Sequence, residues 1–254
     1  MNVAKAGKST RLCDAAVLIA VVIAVWWGLS LLLGVKILPG PWPTVQKAWE
    51  IISREDFEAN VLESLKAFSL ALVIAWFAGL SIGILLGTFR LAGEVAEPIL
   101  VALYSIPKIT LYPVILLLFG LGMSAKVAFG VIHGIVPVMI FTMNGIRNIP
   151  AVYFRAAQTM HLRPLQVACH VVLPAALPEV VTGFRFGFSL TLLGTLIGEM
   201  FASQRGVGYE LIRSMETNDV ESVMAWALIL VVVATIVSIL MLSVDRRMKR
   251  RLAG

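Results

Sequence analysis

The ionisable side chains inside long apolar segments of this sequence include Lys108, His133 and Glu199. A charge within hydrocarbon costs roughly 2.5 to 3.5 kcal/mol on insertion scales, so such groups face protein, water or an interface. Each is therefore a candidate for a transport pathway, in which Lys108 would meet an anion and Glu199 would line or gate an outer mouth. The alternative for each is structural: a carbonyl or carboxylate partner for Lys108, pairing with a neighbouring helix for Glu199, and hydrogen-bonded packing for His133.

The sequence shows no chemistry of its own. It contains neither the full phosphate-loop pattern Gly-x-x-x-x-Gly-Lys-Ser/Thr nor His-Glu-x-x-His. The two cysteines, Cys13 and Cys169, imply neither a disulfide nor a thiolate metal site. We therefore expect no enzymatic activity, no metal and no cofactor bound by this chain, so that any energy source is another protein.

The composition indicates that lipid surrounds most of the chain, since 59% of the residues are hydrophobic and only 14% are charged. Segments long enough to cross a bilayer as helices are the charge-free runs 15–35, 67–89 and 222–244, and the less uniform runs 99–119, 127–143 and 180–201. The sequence predicts an all-α membrane protein, a single domain over residues 1–254 with about six transmembrane helices.

Cations flank the predicted spans in a biased way. Lys5, Lys8 and Arg11 precede the first span, and five further cations follow the last one within residues 246–251. The positive-inside rule then predicts that both termini are cytosolic, and the net charge of +6 reflects membrane flanks rather than nucleic-acid binding. The first span exceeds the apolar region of a signal peptide and is expected to stay attached.

This topology divides the chain into segments on either side of the membrane. They are a cytosolic N-terminus (1–14), a periplasmic loop (36–63) that ends in an interfacial helix over 45–52, a cytosolic connection (144–178) and a basic cytosolic tail (245–254). Glycines recur every four residues in two spans, at positions 79, 83 and 87, and in the pairs 183 and 187, and 194 and 198. Such stripes predict close approach of a neighbouring helix.

The connection over 144–178 is too long for a simple turn and too polar to span the membrane. Its spacing predicts a helix, a turn at 161–163 and a second short helix. It contains Arg155-Ala156-Ala157, then His161, and Leu173-Pro174 after a further interval. This pattern resembles the cytosolic loop of ABC-importer permeases, which reads Glu-Ala-Ala, three residues, Gly, nine residues, Ile-x-Leu-Pro. The spacing is kept, with Arg155 in place of the acid and His161 in place of the glycine.

The resemblance extends over roughly residues 60–245. Further stretches look like the nitrate, sulfonate and taurine branch of these permeases, among them Ser105-Ile106-Pro107-Lys108, Gly198-Glu199-Met200 and Gly206-Val207-Gly208-Tyr209. The branch serves several ligands, so the resemblance implies a pathway for a small, anionic solute without naming it.

The resemblance implies a coupling loop between transmembrane helices 4 and 5. Its residues are Arg155, Ala156, Ala157, His161, Leu162, Arg163, Pro164, Leu165, Leu173 and Pro174. Ala156 and Ala157 are expected to pack between the loop helices. His161 either adopts a left-handed backbone, at a cost of about 1 to 2 kcal/mol, or forms a right-handed turn and contacts the partner.

The resemblance also implies partners: two cytosolic ATPases that bind ATP and Mg²⁺, a second permease copy as a homodimer, and a periplasmic binding protein, all at a bacterial inner membrane. The alternative is an ion-coupled secondary transporter. That class is expected to show two related halves and several membrane carboxylates, and here only Glu199 qualifies.

Overall fold

The computed structural model describes residues 8–252, with side chains described for residues 14–243. All regular structure in that range is helical. The helices are α1 (Lys8–Leu33), α2 (Pro41–Ile52), α3 (Glu55–Thr88), α4 (Arg90–Ser105), α5 (Tyr112–Phe119), α6 (Met123–Arg147), α7 (Ala151–Thr159), α8 (Pro164–Val167), α9 (Leu173–Ala202), α10 (Val207–Glu216) and α11 (Val220–Leu252), with a 3₁₀ turn at Lys108–Leu111 and a π turn at Ala168–Val172. The predicted all-α class is confirmed.

Five helices in the described range are long and apolar enough to cross a membrane: α1, α3, α6, α9 with its preceding turns, and α11. A sixth span is possible as a bent pair, α4 followed by Lys108–Phe119, with an angle of 89° between the two parts. The prediction of about six spans therefore holds if the bent pair counts as one.

The predicted third span, 99–119, is broken near its middle and is not one continuous helix. The chain leaves helical geometry at Ile106, whose ψ is 132°, and at Pro107, whose ψ is 99°. A residue before proline is disfavoured in the α conformation because the proline ring clashes with its backbone. The break therefore follows from Pro107, and it places Lys108 at the first position after the bend.

By compactness the chain forms two units, Met1–Glu58 with Leu211–Val232, and Ala59–Glu210 with Val233–Gly254. In the first unit the helix that was predicted to be interfacial begins at Pro41, four residues before the predicted start, because proline suits the first helical turn. The indole Nε1 of Trp26 donates to the carbonyl of Pro39 at 3.0 Å and fixes the approach to it.

The segment 55–63, predicted as part of the outer loop, instead forms the first turns of α3. Three carboxylates in that first turn, Glu55, Asp56 and Glu58, favour a helix start there. At the C-terminal end of the chain, α11 continues through the backbone of the predicted basic tail to Leu252. The side chains of that tail, and the N-terminal cations, lie outside the described side chains.

The start of α11 is a capped helix end within the first unit. Asn218 has a left-handed φ of 55°, and Asp219 then accepts hydrogen bonds from the Ser222 N–H at 3.0 Å and from the Ser222 hydroxyl at 2.6 Å. Burial raises the pKa of Asp219, but the hydrogen bonds from Ser222 and the charges of Lys47 and Arg54 together lower it by more, so that the pKa lies below its ordinary value. The cap ends the polar turn and starts the last span.

The second unit is organised around the antiparallel pair α6 and α9. A Cβ added at Gly194 of α9 would lie 2.5 Å from the carbonyl oxygen of Phe129 and 2.7 Å from Nδ1 of His133. At the other end of the pair, a Cβ on Gly145 would lie 2.9 Å from Cβ of Glu179. The two backbones are therefore in contact along most of their length, as the glycine stripe of α9 predicted.

The glycine stripe of α3 packs against the same helix. Added Cβ atoms at Gly79, Gly83 and Gly87 would lie 2.8, 2.6 and 2.9 Å from the Cβ atoms of Val138, Thr142 and Ile146, respectively. Helix α6 thus has close neighbours on two sides. Of the 18 residues in its most apolar stretch, 56% are buried, against 22% or less in the other spans. Both predicted close approaches are confirmed.

The same stripe contains a coincidental sequence match. Residues 79–83 read Gly-Leu-Ser-Ile-Gly, which has the spacing of the serine-hydrolase nucleophile elbow. That elbow requires a sharp strand-to-helix turn. Ser81 instead lies in the middle of α3 and is exposed, while both glycines face α6. This geometry supplies a packing surface and no nucleophile.

The α3–α6 contact can be tested with Gly83→Ala. The new methyl group would overlap Thr142, so we expect the free energy of unfolding in detergent to fall by about 1 to 3 kcal/mol. The matched control is Gly28→Ala in α1, where no atom lies within 4 Å of the added Cβ, and which should be neutral or slightly stabilising. Equal melting temperatures for the two variants would contradict the close contact.

Candidate functional site

The connection predicted over residues 144–178 begins in the last turn of α6 and ends in the first turns of α9. It contains α7, a turn at residues 160–163, α8 and the π turn, which runs without a break into α9. The predicted helix, turn and second helix are therefore present. The predicted short second helix differs in one respect: it continues into the span, with Leu173 and Pro174 in the first turn of α9.

The turn after α7 is built from backbone hydrogen bonds around His161. The His161 N–H donates to the carbonyl of Gln158 at 3.0 Å, and the Leu162 N–H donates to that of Ala157 at 3.1 Å. With a φ of 50° at His161, these are the bonds of a Schellman cap. The left-handed alternative for His161 is the one observed, although the position usually favours glycine.

The two alanines of the motif have different environments. Ala157 is 3% exposed, whereas Ala156 is exposed. Successive residues of a helix point about 100° apart, so only one of two neighbours can lie at the centre of a packed face. The expected packing of Ala157 is observed, and the expected packing of Ala156 is wrong in this chain.

The turn and α8 present large apolar side chains at the surface. Met160 is 69% exposed and Leu165 is 75% exposed, while Leu162 between them is only partly buried. Pro164 opens α8, and the Gln166 side-chain oxygen accepts from the Arg163 N–H at 2.8 Å, so the tip has a defined backbone. A rigid, exposed apolar tip of this kind is suited to docking another protein.

An ion pair that the sequence analysis did not identify lies at the base of the connection. Nη1 of Arg147, the last residue of α6, lies 2.8 Å from Oε2 of Glu97 in α4. A polar cavity of about 740 Å³ opens beside it, lined by Arg90, Glu94 and Asn148 among others. The ion pair joins the end of α6 to the half-span that precedes the break at Pro107.

A second polar cluster lies at the opposite end of the α6–α9 pair. Lys126 of α6 is 21 residues before Arg147, which corresponds to about 32 Å at the helical rise. Its ammonium lies 3.0 Å from Oε1 of Glu63, 3.9 Å from Oε1 of Glu199, and donates to the carbonyl of Arg205 at 3.0 Å. Lys126 is 1% exposed and Glu199 is fully buried. We call Glu63, Ser64, Lys126 and Glu199 the buried charge network.

The chain segment after α9 wraps around the Glu199 carboxylate. Oε2 of Glu199 accepts from the Ser64 hydroxyl at 2.7 Å and from the Gly208 N–H at 2.9 Å. Gly206 has a φ of 122°, and an added Cβ there would overlap the same carboxylate. The glycines of Gly206-Val207-Gly208 are therefore needed for backbone approach to a buried anion.

The three predicted pathway candidates have different surroundings. Glu199 is enclosed by its partners, and His133 is 7% exposed with Nδ1 2.8 Å from the Phe129 carbonyl, so both have the contacts of structural residues. Lys108 is only partly buried. Its ammonium donates to the carbonyl of Tyr104 at 3.1 Å and lies 5.3 Å from the Tyr104 ring centroid. Among the described side chains no carboxylate lies within 4 Å of it.

The structure therefore brings together only part of the predicted set. The coupling-loop residues lie on one continuous connection, while Lys108, His133 and Glu199 do not form one site. The residues that sequence reasoning missed are Glu63, Ser64, Lys126, Glu97 and Arg147. A signal was available only for Lys126, a cation three residues after the start of an apolar helix.

Comparison with known proteins gives a consistent family. Residues 79–250 match the family model described as "Binding-protein-dependent transport system inner membrane component". The taurine transport system permease protein TauC of Escherichia coli (strain K12) is 26% identical over 237 residues, covering 91% of this chain and 86% of that protein. The putative aliphatic sulfonates transport permease protein SsuC of Bacillus subtilis (strain 168) is 28% identical, with coverage of 90% and 84%.

A solved structure shares the fold. An inward-facing structure of the MetNI methionine ABC transporter aligns with a TM-score of 0.64 at 18% identity, covering 75% of this chain and 94% of that chain. At this identity the likeness concerns the fold alone. Together with the family match, it confirms the predicted resemblance and the predicted membrane architecture.

The buried charge network can be tested with Lys126→Met. This change leaves Glu199 buried without its cation, so we expect a loss of about 3 to 5 kcal/mol in the free energy of unfolding in detergent. Glu63→Gln, at a partner that is 29% exposed, should cost about 1 kcal/mol or less.

The double variant Lys126→Met/Glu199→Gln removes both buried charges and should recover part of the loss. If the stability loss of the double variant equals the sum of the losses of Lys126→Met and Glu199→Gln, the two groups do not interact.

Proposed function

The chain belongs to the family of binding-protein-dependent transport system inner membrane components, and from that premise we propose that it is the transmembrane subunit of an ATP-binding-cassette importer. It would form the pathway for a small anionic solute delivered by a periplasmic binding protein. A separate ATPase chain, which binds ATP and Mg²⁺, would supply the energy. The location would be the bacterial inner membrane, with both termini in the cytosol.

The observation that carries this proposal is the form of the connection. A subunit without a nucleotide site must receive force through a rigid element that contacts its ATPase. The connection offers such an element, since Ala157 is buried, the turn at His161 is fully hydrogen-bonded, and Met160 and Leu165 are exposed at the tip. Its direct continuation into α9 means that a displacement of the tip moves a membrane span.

The proposed assembly pairs this chain with an identical copy around a central pathway. Two ATPases would bind at the two connections in the cytosol, and the binding protein would dock on the periplasmic side, where the buried charge network lies. ATP binding would close the ATPase pair and open the pathway outward, and hydrolysis would reset it. The permease contributes helix packing with two arrangements that the partners bias by a few kcal/mol.

The anionic character of the substrate rests on Lys108. This cation follows the 89° break in the bent span, is partly buried and has a carbonyl rather than a carboxylate as its neighbour. Such a side chain is placed to donate a hydrogen bond to a passing anion. Two relatives are named for taurine and for aliphatic sulfonates, whose sulfonate group is anionic, and this supports the same class here.

The coupling role predicts the behaviour of Ala157→Phe. The ring would overpack the connection, with a penalty of about 1 to 3 kcal/mol. We expect less co-purified ATPase and less uptake, at unchanged abundance in the membrane. Ala175→Phe is the matched control, because Ala175 is exposed in the first turn of α9.

The source of energy gives a further prediction. The purified chain alone should hydrolyse no ATP, and ATP turnover should be measured only when the ATPase is added.

Contact itself can be measured with a cysteine at Leu165, after Cys13 and the exposed Cys169 are replaced by serine. Crosslinks from this position to the ATPase are expected. Normal uptake with Ala157→Phe, together with no crosslink from any tip position, would overturn the proposal.

The role of Lys108 predicts a difference between two substitutions. Lys108→Gln should raise the apparent KM for uptake by about tenfold or more, because a charge-assisted hydrogen bond to the anion is lost. Lys108→Arg should retain much of the affinity. The assay uses labelled taurine or an aliphatic sulfonate, whichever stabilises the binding protein against heat. A reduced yield of folded complex at unchanged KM would instead assign Lys108 to the structure.

A further inference from the structure

The connection has an unusual charge. Between Asn144 and Pro178 the sequence contains three arginines and two histidines, and no Asp, Glu or Lys. The arginines are Arg147, Arg155 and Arg163, and the histidines are His161 and His170. In the permease pattern that this segment resembles, the position of Arg155 holds a glutamate, so the formal charge at that position differs by two units.

Two of these arginines have their charge free for a partner. Arg147 is paired with Glu97 inside the chain. Arg155 and Arg163 are exposed, and neither guanidinium lies within 4 Å of a carboxylate in the part of the chain whose side chains are described.

Their placement directs them away from the rest of the chain. Arg155 lies on α7 two residues before the buried Ala157, hence about 200° around the helix from it. It shares its face with Val152 and Thr159, which are also exposed. Arg163 immediately precedes α8 at the tip, next to the exposed Leu165.

We infer that the connection recognises a cytosolic ATPase whose docking groove carries carboxylates opposite Arg155 and Arg163, and that this charge pattern selects the partner. The inference rests on the proposed function and specifies its partner. The apolar tip supplies contact area, whereas the two guanidiniums supply a charge match. An ATPase built for a permease with glutamate at this position would present no acid there, and a cation would be repelled by Arg155.

The inference is tested on the full-length chain in lipid nanodiscs with the ATPase that co-purifies with it. Raising the salt from about 0.05 to about 0.5 M should weaken binding on the order of tenfold, because exposed charges are screened. At low salt, Arg155→Glu should weaken it by a similar factor, and Arg163→Glu by somewhat less. Arg155→Lys should bind like the wild type, since it keeps the charge.

A matched control and a covalent readout make the result specific. Arg90→Glu makes the same charge change at an exposed side chain outside the connection, and should leave the affinity unchanged. In the Arg155→Lys variant, a zero-length carbodiimide should join the new amine to an Asp or Glu of the ATPase. Mass spectrometry of the product then identifies the acidic groove.

Each alternative has its own outcome. If Arg155→Glu binds normally while Ala157→Phe weakens binding, the charge match is overturned and the proposed function stands. If neither the wild type nor any variant binds an ATPase, both are overturned. Salt dependence that appears only in nanodiscs containing anionic lipid would assign the arginines to the membrane surface and would also overturn the inference.

Discussion

The close approach of α6 and α9 is the contact on which the rest of the second unit depends. Apolar burial gives little driving force between helices that are already in lipid, so helix association relies on dispersion contacts and hydrogen bonds. Both need a short separation between the helix backbones. Gly194 and Gly198 let α9 approach α6 closely at Phe129 and Lys126. Gly145 of α6 permits the same close approach at the other end of the pair. A side chain at any of these positions would separate the backbones.

The same short distances allow charges to be buried. A Cβ on Gly198 would lie 2.9 Å from Cα of Lys126. Because Gly198 has no side chain, Lys126 can lie directly against the backbone of α9. A buried charge is tolerated only with well-placed partners, and Glu63, Glu199 and the carbonyl of Arg205 provide them. The exposed pair of Arg90 and Glu94 is different, because such pairs contribute at most about 1 kcal/mol.

The sequence predicts the parts of the structure that depend on local pattern. Hydropathy locates the spans, a four-residue glycine period locates the helix contacts, and the spacing around His161 locates the turn. The buried charge network was not predictable in the same way, because Glu63, Lys126 and Glu199 are far apart in sequence and meet only through the register of three helices. The buried face of α7 was not predictable either, since the motif spacing does not say which of Ala156 and Ala157 faces inward.

The bend at Pro107 lies between these two cases. The effect of a proline on its preceding residue is local, so a break can be anticipated, but the angle of 89° accompanies contacts that are distant in sequence: Leu100 of α4 and Ile115 of α5 both pack against α6. Its consequence is that Lys108 lies directly after the bend, with its side chain only partly buried and its ammonium bound to the carbonyl of Tyr104. Non-helical backbone in a membrane protein is tolerated where protein or water satisfies it.

The two departures from the permease pattern have different physical meanings. His161 replaces a glycine, yet the cap that it completes consists of backbone hydrogen bonds, so the turn is kept at the expense of about 1 to 2 kcal/mol of left-handed strain. Arg155 replaces an acid at an exposed position where no contact within the chain depends on it. The first change therefore preserves the shape of the connection, and the second alters only what a partner meets. In the proposed function, transmission of force depends on the shape of the connection, and in the inferred charge match the choice of partner depends on its charge, so the two properties can change independently.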